Sequence, residues 1–395
     1  MKIKFQIKKV IRYCSIYGID RTMTKLMGRL QINYNFGIKK RGKTAISIIG
    51  CGQFAFSTIC FFLKKNRNIN FYSCFDIHNK KAVCLAKKYH FKKIESSFLP
   101  MLNKKEYHIV YIASNHFTHS EYAIELLRKN IDIYVEKPIS VNINQLNNLI
   151  YTLSNSCGKI YAGYNRPFSQ AIIDFKNETS IKGLIDKDSP FTINYYISGH
   201  FINKDHWYRD PKEGLRICGN VGHWLDLTVN LFNWRGNYPD KIDITVSYSN
   251  INEPDDNIAI TIVTDKNDLI SIVLTSRSEP FEGINETINI QYGNVIAKID
   301  DFRKMVLWID DILIKRKYWP KDVGHKKTIL QPFSKMQRDW NEVELSTLLM
   351  LEIKEMVQCR KIFKVFSINN AFEIIESMRK GTFKMKEKLE NKTQA

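Results

Sequence analysis

The stretch AISIIGCGQFAFSTICFFL, residues 45–63, decides the fold. It carries no charge and approaches the length of a membrane span. Two glycines, a glutamine and hydroxyl side chains interrupt it, and Gly50 and Gly52 split it in two. Residues 45–49 form a short apolar run of buried-strand type. Residues 54–63 have helix length, with aromatics at helical spacing. The stretch therefore reads as strand, turn and helix rather than as a transmembrane segment. Its turn, Gly50-Cys51-Gly52-Gln53-Phe54-Ala55, is a GxGxxG pattern with alanine in the third glycine's place. The first glycine allows a tight turn, the second lets the backbone approach a pyrophosphate, and the alanine keeps helix and strand close. Phosphates would then sit on the helix N-terminus, where free N–H groups and the dipole favour anions.

Outward from this unit the chain alternates. Strand patterns at 70–75, 108–113, 131–135 and 159–164 enclose helical patterns at 79–89, 117–129 and 142–153. That alternation implies βαβ units, hence a doubly wound parallel sheet. Asp76 ends the second strand, 26 residues after Gly50. An acid at about this distance binds the ribose hydroxyls of NAD. It would repel a 2′-phosphate, which favours NAD over NADP, although Lys80 and Lys81 pull the other way. Asp76 also fits a turn or helix-cap role.

Beyond residue 164 the texture changes. Strand candidates at 191–198, 242–248, 258–263, 269–275, 287–292, 295–299 and 305–309 alternate apolar and polar residues, as in a half-buried antiparallel sheet. Helices are expected at 222–232, 343–356 and 368–389. The expected fold class is α/β: an N-terminal Rossmann doubly wound parallel sheet, then a C-terminal α+β domain with a large, mostly antiparallel open sheet. The expected boundaries are a basic extension at 1–43, a dinucleotide-binding domain at 44–163, a substrate and oligomerisation domain at 164–378, and a basic tail at 379–395.

The whole chain has 395 residues, with 44% hydrophobic and 25% charged residues, ordinary globular values that exclude a mostly disordered protein. The eight cysteines include no CxxC pair and no Cys/His cluster of zinc-site spacing, so no metal site is expected. They read as reduced thiols in a cytoplasmic protein. Sixty Lys and Arg against forty Asp and Glu give a net charge of +20. Such charge attracts nucleic acid, anionic lipid or phosphorylated substrates. A coding bias toward lysine would produce the same total.

Two further motifs carry chemistry. Glu136-Lys137-Pro138 lies at the C-terminal end of a parallel strand, where ligands bind. A lysine there can stabilise a developing alkoxide, and Pro138 holds Lys137 extended. His223 and Asp226 share a helix face at i and i+3. A carboxylate near an imidazole can fix its tautomer, and histidine is a common proton carrier. Residues 201–216, FINKDHWYRDPKEGLR, read as a substrate-facing loop. There Trp207 and Tyr208 would stack on a sugar ring, and Arg209 or Arg216 would hold a phosphate or carboxylate.

Together these motifs resemble the glucose-fructose oxidoreductase, inositol dehydrogenase and rhizopine catabolism family, Gfo/Idh/MocA. The match is most specific at residues 109–138 (IVYIASNHFTHSEYAIELLRKNIDIYVEKP) and at Gly163-Tyr164-Asn165-Arg166. The resemblance makes Lys137 and His223 the catalytic pair and implies that the Lys137–Pro138 bond is cis. It assigns the cofactor to residues 50–55 with Asp76, Ser114, Asn115, His119, Glu136 and Lys137. The substrate falls to Arg166, Trp207, Tyr208, Asn220, His223 and Asp226. There are departures. The usual proline after the fourth strand is missing from Ala113-Ser114-Asn115-His116, and Gly219 stands where many relatives carry aspartate four residues before the histidine. Asn220 or Asp226 would then supply the polar partner.

The resemblance implies an NAD(P)-dependent dehydrogenase or reductase acting on a secondary hydroxyl or carbonyl of a sugar, cyclitol or sugar nucleotide. Its setting would be surface polysaccharide synthesis, and it would be a homo-oligomer paired through the open sheet. A non-catalytic dinucleotide-binding regulator or sensor of the same fold is the alternative. No specific nucleic-acid motif accompanies the charge. Residues 1–43 hold twelve Lys and Arg and one acid, Asp20, and thus +11 of the +20. The extension is therefore expected to dock on an anionic surface or a protein partner.

Overall fold

The computed structural model describes residues 2–32, 42–103, 107–277 and 283–384. Two helices come first, α1 (Lys2–Tyr17) and α2 (Ile19–Arg29), hinged at Gly18. A six-stranded sheet follows, made of β1 (Thr44–Ile49), β2 (Ile69–Phe75), β3 (Lys93–Ile94), β4 (Ile109–Ile112), β5 (Asp132–Val135) and β6 (Ile160–Ala162). All pairings are parallel, and the spatial order is β3-β2-β1-β4-β5-β6. This is the doubly wound order in which two halves diverge from β1 and β4, leaving a crevice at their C-terminal ends. The connecting helices are α3 (Cys60–Lys65), α4 (Asn79–Tyr89), α5 (His116–Leu127) and α6 (Ile143–Ser154). Strands β1 and β4 are buried on both faces, as their near-continuous apolar runs require.

The helix expected over 54–63 begins differently. Residues Ala55–Ile59 form a π-turn before α3 takes over. A π-turn loosens the backbone ladder, and the Tyr89 hydroxyl donates to the Phe56 carbonyl at 2.6 Å. All five residues of the turn are buried, so the irregularity sits in the core beneath the glycine-rich loop.

After α7 (Gln170–Ile181) comes the second sheet: β7 (Phe191–Ser198), β8 (Lys241–Tyr248), β9 (Ile258–Thr264), β10 (Leu269–Thr275), β11 (Asn285–Tyr292), β12 (Val295–Asp300), β13 (Lys304–Ile309), β14 (Ile312–Lys317) and β15 (Phe363–Ser367). Its order is β14-β13-β12-β11-β7-β10-β9-β8-β15, antiparallel except where β7 meets β10. In β7, Phe191, Ile193, Tyr195 and Ile197 point into the core and the residues between them point away. Helices α8 (Gly222–Arg235), α10 (Trp340–Gln358) and α11 (Ile368–Arg379) contribute to the same core, and the short α9 (His325–Ile329) lies between β14 and α10. The helix expected to 389 stops at Arg379, and residues 385–389 lie outside the described set.

Two connections bring the halves together at the crevice. Tyr111 of β4 donates to the Ile329 carbonyl at 2.8 Å, and Gln331 Nε2 donates to the Ala162 carbonyl at 2.9 Å. The N-terminal helices are seated on the body. Ile16 and Thr22 are buried, and Met27 packs into the core of the parallel sheet. Trp319 Nε1 donates to the Ser15 carbonyl at 2.8 Å. Among the described residues no helix is long and apolar enough to cross a membrane.

Candidate functional site

At the C-terminal edge of the parallel sheet the strands release their functional residues in turn. β1 leads to Gly50, β2 to Asp76, β4 to Ser114 and Asn115, and β5 to Glu136 and Lys137. Gly50 has φ +87°, and a Cβ there would lie 2.4 Å from the Ala113 carbonyl oxygen. Only glycine fits both the left-handed conformation and that approach. Gly52 is the opposite case, because a Cβ there would meet nothing within 4 Å. It opens onto a groove of about 620 Å³ lined by Gly50, Gly52, Asp76, Ser114, His119 and Lys137, among others.

Asp76 clamps the loop. One carboxylate oxygen accepts from Cys51 N at 2.7 Å, the other from His78 N at 2.8 Å. The turn role and the groove-edge role are thus compatible. Gln53 and Phe54 line the groove, and Gln53 Nε2 donates to the Lys25 carbonyl of α2 at 3.1 Å. The N-terminal helices therefore touch the phosphate loop itself. Ala55 and Cys51 are buried behind it. Gly50, Gly52, Gln53, Phe54, Asp76, Ser114 and Asn115 form one wall whose open backbone at Gly52 fits a dinucleotide pyrophosphate.

His119 sits between two carbonyls, with Nδ1 2.8 Å from Pro138 O and Nε2 3.1 Å from Ser114 O. Burial pulls its pKa down to about 4. Its contacts to both carbonyls, which favour the protonated ring, oppose this, and they tie the Ser114 and Pro138 loops together. The Lys137–Pro138 peptide is cis. Lys137 Nζ donates to the Gly219 carbonyl at 2.6 Å. Glu136 accepts from the Tyr134 hydroxyl at 2.8 Å and lies against Gly163, where a Cβ would come within 2.8 Å of it. Burial lowers the Lys137 pKa and raises that of Glu136, each opposed by the other's charge.

Gly219 explains the missing aspartate sterically. A Cβ there would lie 2.8 Å from Tyr208 Cε2 and 3.0 Å from His116 Cε1. The rings of Tyr208 and Trp207 each lie 4.8 Å from that of His116, and all three line the groove beside Lys137. Glu213 anchors this corner, since its carboxylate accepts from Phe117 N at 3.1 Å and its carbonyl lies 3.0 Å from His116 Nδ1. The loop expected to face substrate thus faces the groove through its aromatics. Its arginines do not reach it. Arg209 is tied to Glu253 and Asp256 at 2.9 Å, and Arg216 to Asp256 at 2.9 Å. The acids at 253–256 are remote in sequence, which hid this pairing.

Behind Lys137 lies a second, buried group. Arg166 bonds to Glu286, to Asn165 Oδ1 at 2.9 Å and to His223 Nε2 at 3.2 Å. A guanidinium only donates, so Nε2 of His223 accepts and Nδ1 carries the hydrogen. Burial first, and then the charges of Arg166, Lys137 and His325, hold His223 well below its usual pKa, hence neutral. Asp226 does not orient it. The i+3 carboxylate turns instead to Arg338 at 2.7 Å, a buried guanidinium that also pairs with Glu342. His325 packs edge-on against Phe54, with ring centroids 5.5 Å apart. Its place depends on Gly324, where a Cβ would collide with the Asn165 carbonyl. Among the described residues three buried polar atoms here have no partner: Asn220 Oδ1, His223 Nδ1 and His325 Nδ1. Orphaned groups of this kind call for a polar ligand or water.

Sequence reasoning missed His116, Glu213 and His325. His116 and Glu213 stand inside stretches the sequence singled out, but their contact runs between distant segments, and His325 stands in no motif.

Comparison with known proteins agrees with this fold. Residues 44–164 match the model of an oxidoreductase family with an NAD-binding Rossmann fold, GFO_IDH_MocA. A curated relative, YteT of Bacillus subtilis (strain 168), described as an oxidoreductase, is 25% identical over 153 residues. That match spans 38% of this chain and only 34% of the relative. A Sinorhizobium meliloti 1021 structure described as a myo-inositol dehydrogenase superposes with a TM-score of 0.65 at 14% identity, covering 82% of this chain and 99% of that one. GenD2 from gentamicin A biosynthesis, solved with NAD, superposes with a TM-score of 0.66 at 13% identity, covering 84% and 100%. At such identities the likeness establishes the fold.

Proposed function

We infer that this chain, an oxidoreductase whose residues 44–164 carry the NAD-binding Rossmann domain of the Gfo/Idh/MocA family, oxidises a secondary hydroxyl, or reduces the matching carbonyl, on a sugar, cyclitol or sugar nucleotide. The observation that carries this is the position of Lys137. It lines the dinucleotide groove on one side and lies within electrostatic reach of Arg166 and His223 on the other. The unpartnered atoms of Asn220, His223 and His325 suit a substrate with several hydroxyls, which can donate and accept at once. Trp207 and Tyr208 offer ring faces for a pyranose or cyclitol.

A nicotinamide bound in the groove would supply or accept the hydride. The chain's own residues handle the proton and the geometry. Lys137, its pKa lowered by burial, takes the hydroxyl proton on oxidation and returns it on reduction. A group tuned toward neutrality serves both directions. Held by Arg166, His223 presents Nδ1–H and orients the substrate oxygen as a donor. Arg166 is the positioning residue and Glu286 its counter-charge. Asp226, paired with Arg338, supports the fold of α8. His119 keeps the cis-proline loop against Ser114. NAD is preferred because the Asp76 carboxylate lines the groove, where it would meet ribose hydroxyls and repel a 2′-phosphate. The partly apolar outer face of the nine-stranded sheet, with Tyr196, Val263 and Leu269 about half exposed, suits a homo-oligomer.

The test is NADH absorbance with a panel of sugars, cyclitols and nucleotide sugars. Turnover of at least one member supports the reading. Tight NAD binding with no turnover across the panel would favour a sensor of the same fold.

A further inference from the structure

The two N-terminal helices have an inner and an outer side of different character. On the inner side, Ile16, Thr22 and Met27 pack on the body and the Lys25 carbonyl holds Gln53. This is a fixed element, not a loose tail. The outer side of α2 carries Ile19 at 72% exposure, Met23 at 51%, Leu26 at 37% and, just past its end, Leu30 at 61%. Their spacing of four, three and four residues places them in one stripe. On α1, Ile7, Val10 and Ile11 are likewise exposed, at 54%, 42% and 62%. Exposed cations Lys4, Lys8 and Arg29 flank these apolar residues, and residues 1–43 contain a single acid.

Contiguous apolar stripes left in water on a monomer mark an interaction face. The charge decides what covers this one. A second copy of the same face would bring two strongly cationic surfaces together. Nucleic acid would satisfy the charge, but it offers nothing apolar to the seven side chains named above. A bilayer with anionic headgroups satisfies both, because an interfacial helix buries its apolar face at the acyl boundary while Lys and Arg meet lipid phosphates. We propose that the α1–α2 hairpin docks this protein, with its cofactor groove rigidly attached, on an anionic membrane surface without spanning it.

The experiment uses the full chain in vesicle co-sedimentation. The vesicles are phosphatidylcholine alone, or phosphatidylcholine and phosphatidylglycerol in equal parts, at low and high salt. Binding is expected to the mixed vesicles only, and to fall as salt rises. The double variant Met23→Glu, Leu26→Glu changes two exposed residues. It should bind vesicles roughly tenfold or more weakly, with unchanged NADH affinity and thermal melting as the check on folding. Three results would overturn the proposal: no binding to anionic vesicles at low salt, equal binding by the double variant, or self-association that the variant abolishes without any vesicle binding. None of these depends on whether a sugar substrate is found, so the dehydrogenase reading stands or falls separately.

Discussion

Replacing Gly219 by alanine probes how the site lives without the relatives' aspartate. The added Cβ would lie 2.8 Å from Tyr208 Cε2, 3.2 Å from its Cζ and 3.0 Å from His116 Cε1. The glycine lies in the π-turn Ile217–Val221 before α8, and no positive φ is recorded there, so backbone strain adds nothing. The cost is overpacking, about 1–3 kcal/mol. It should fall toward the lower end, because the Tyr208 ring is only partly buried and can swing into the groove. That motion intrudes on the proposed cofactor groove and disturbs the carbonyl that receives Lys137. Denaturant unfolding and NADH fluorescence titration measure the two effects. Tyr208→Ala should relieve both, so the double variant should recover about 1 kcal/mol or more relative to additivity. An alanine variant that unfolds and binds NADH like the parent would refute the argument, as would strict additivity with Tyr208→Ala.

Other outcomes follow from the same geometry. Asp76→Ala removes the clamp on Cys51 N and, on the proposed reading, the acceptor for the ribose. NADH binding should weaken about tenfold or more, and the NADPH-to-NADH affinity ratio should rise. The pH–rate profile should carry a limb from Lys137. Burial lowers its pKa, so the free amine needed for oxidation appears below the ordinary lysine value of 10.5. Oxidation should rise with pH through this limb and reduction should fall through it; a limb at or above 10.5 in both directions counts against the assignment. Deleting residues 1–32 uncovers the core beside Met27 and frees Gln53. Thermal stability and NADH affinity should both drop, whereas retention of both would show the hairpin to be dispensable to the groove.

Much of this was legible in the chain. The apolar run ending at Ile49, the glycines after it and the βαβ spacing fix the parallel sheet, because strand period, turn sterics and crossover length are local properties. The alternation in 191–198 places β7 for the same reason. The partners of the polar residues were less legible. Asp226 is three residues from His223, yet a buried guanidinium 112 positions away outcompetes the imidazole for it, and pairing of that range has no sequence period. Helices α1 and α2 escaped because their charge suggested a solvated extension, while their inner faces are anchored by a few contacts such as Ile16 and Met27. The π-turn at Ala55–Ile59 escaped because it leaves no sequence period, and the Tyr89 hydroxyl that bonds the Phe56 carbonyl within it comes from another helix. The excess charge follows the same logic. Over half of it lies within residues 1–43, and on the hairpin Lys4, Lys8 and Arg29 are exposed, where packing does not explain them.

The most direct measurement compares NADH binding with single-turnover hydride transfer in the parent chain and in Lys137→Met, using whichever substrate the panel identifies. NADH affinity should be similar in both, and transfer should slow roughly 10²–10⁴-fold in the variant. Equal transfer rates, or failure of the parent chain to bind NADH at all, would contradict this.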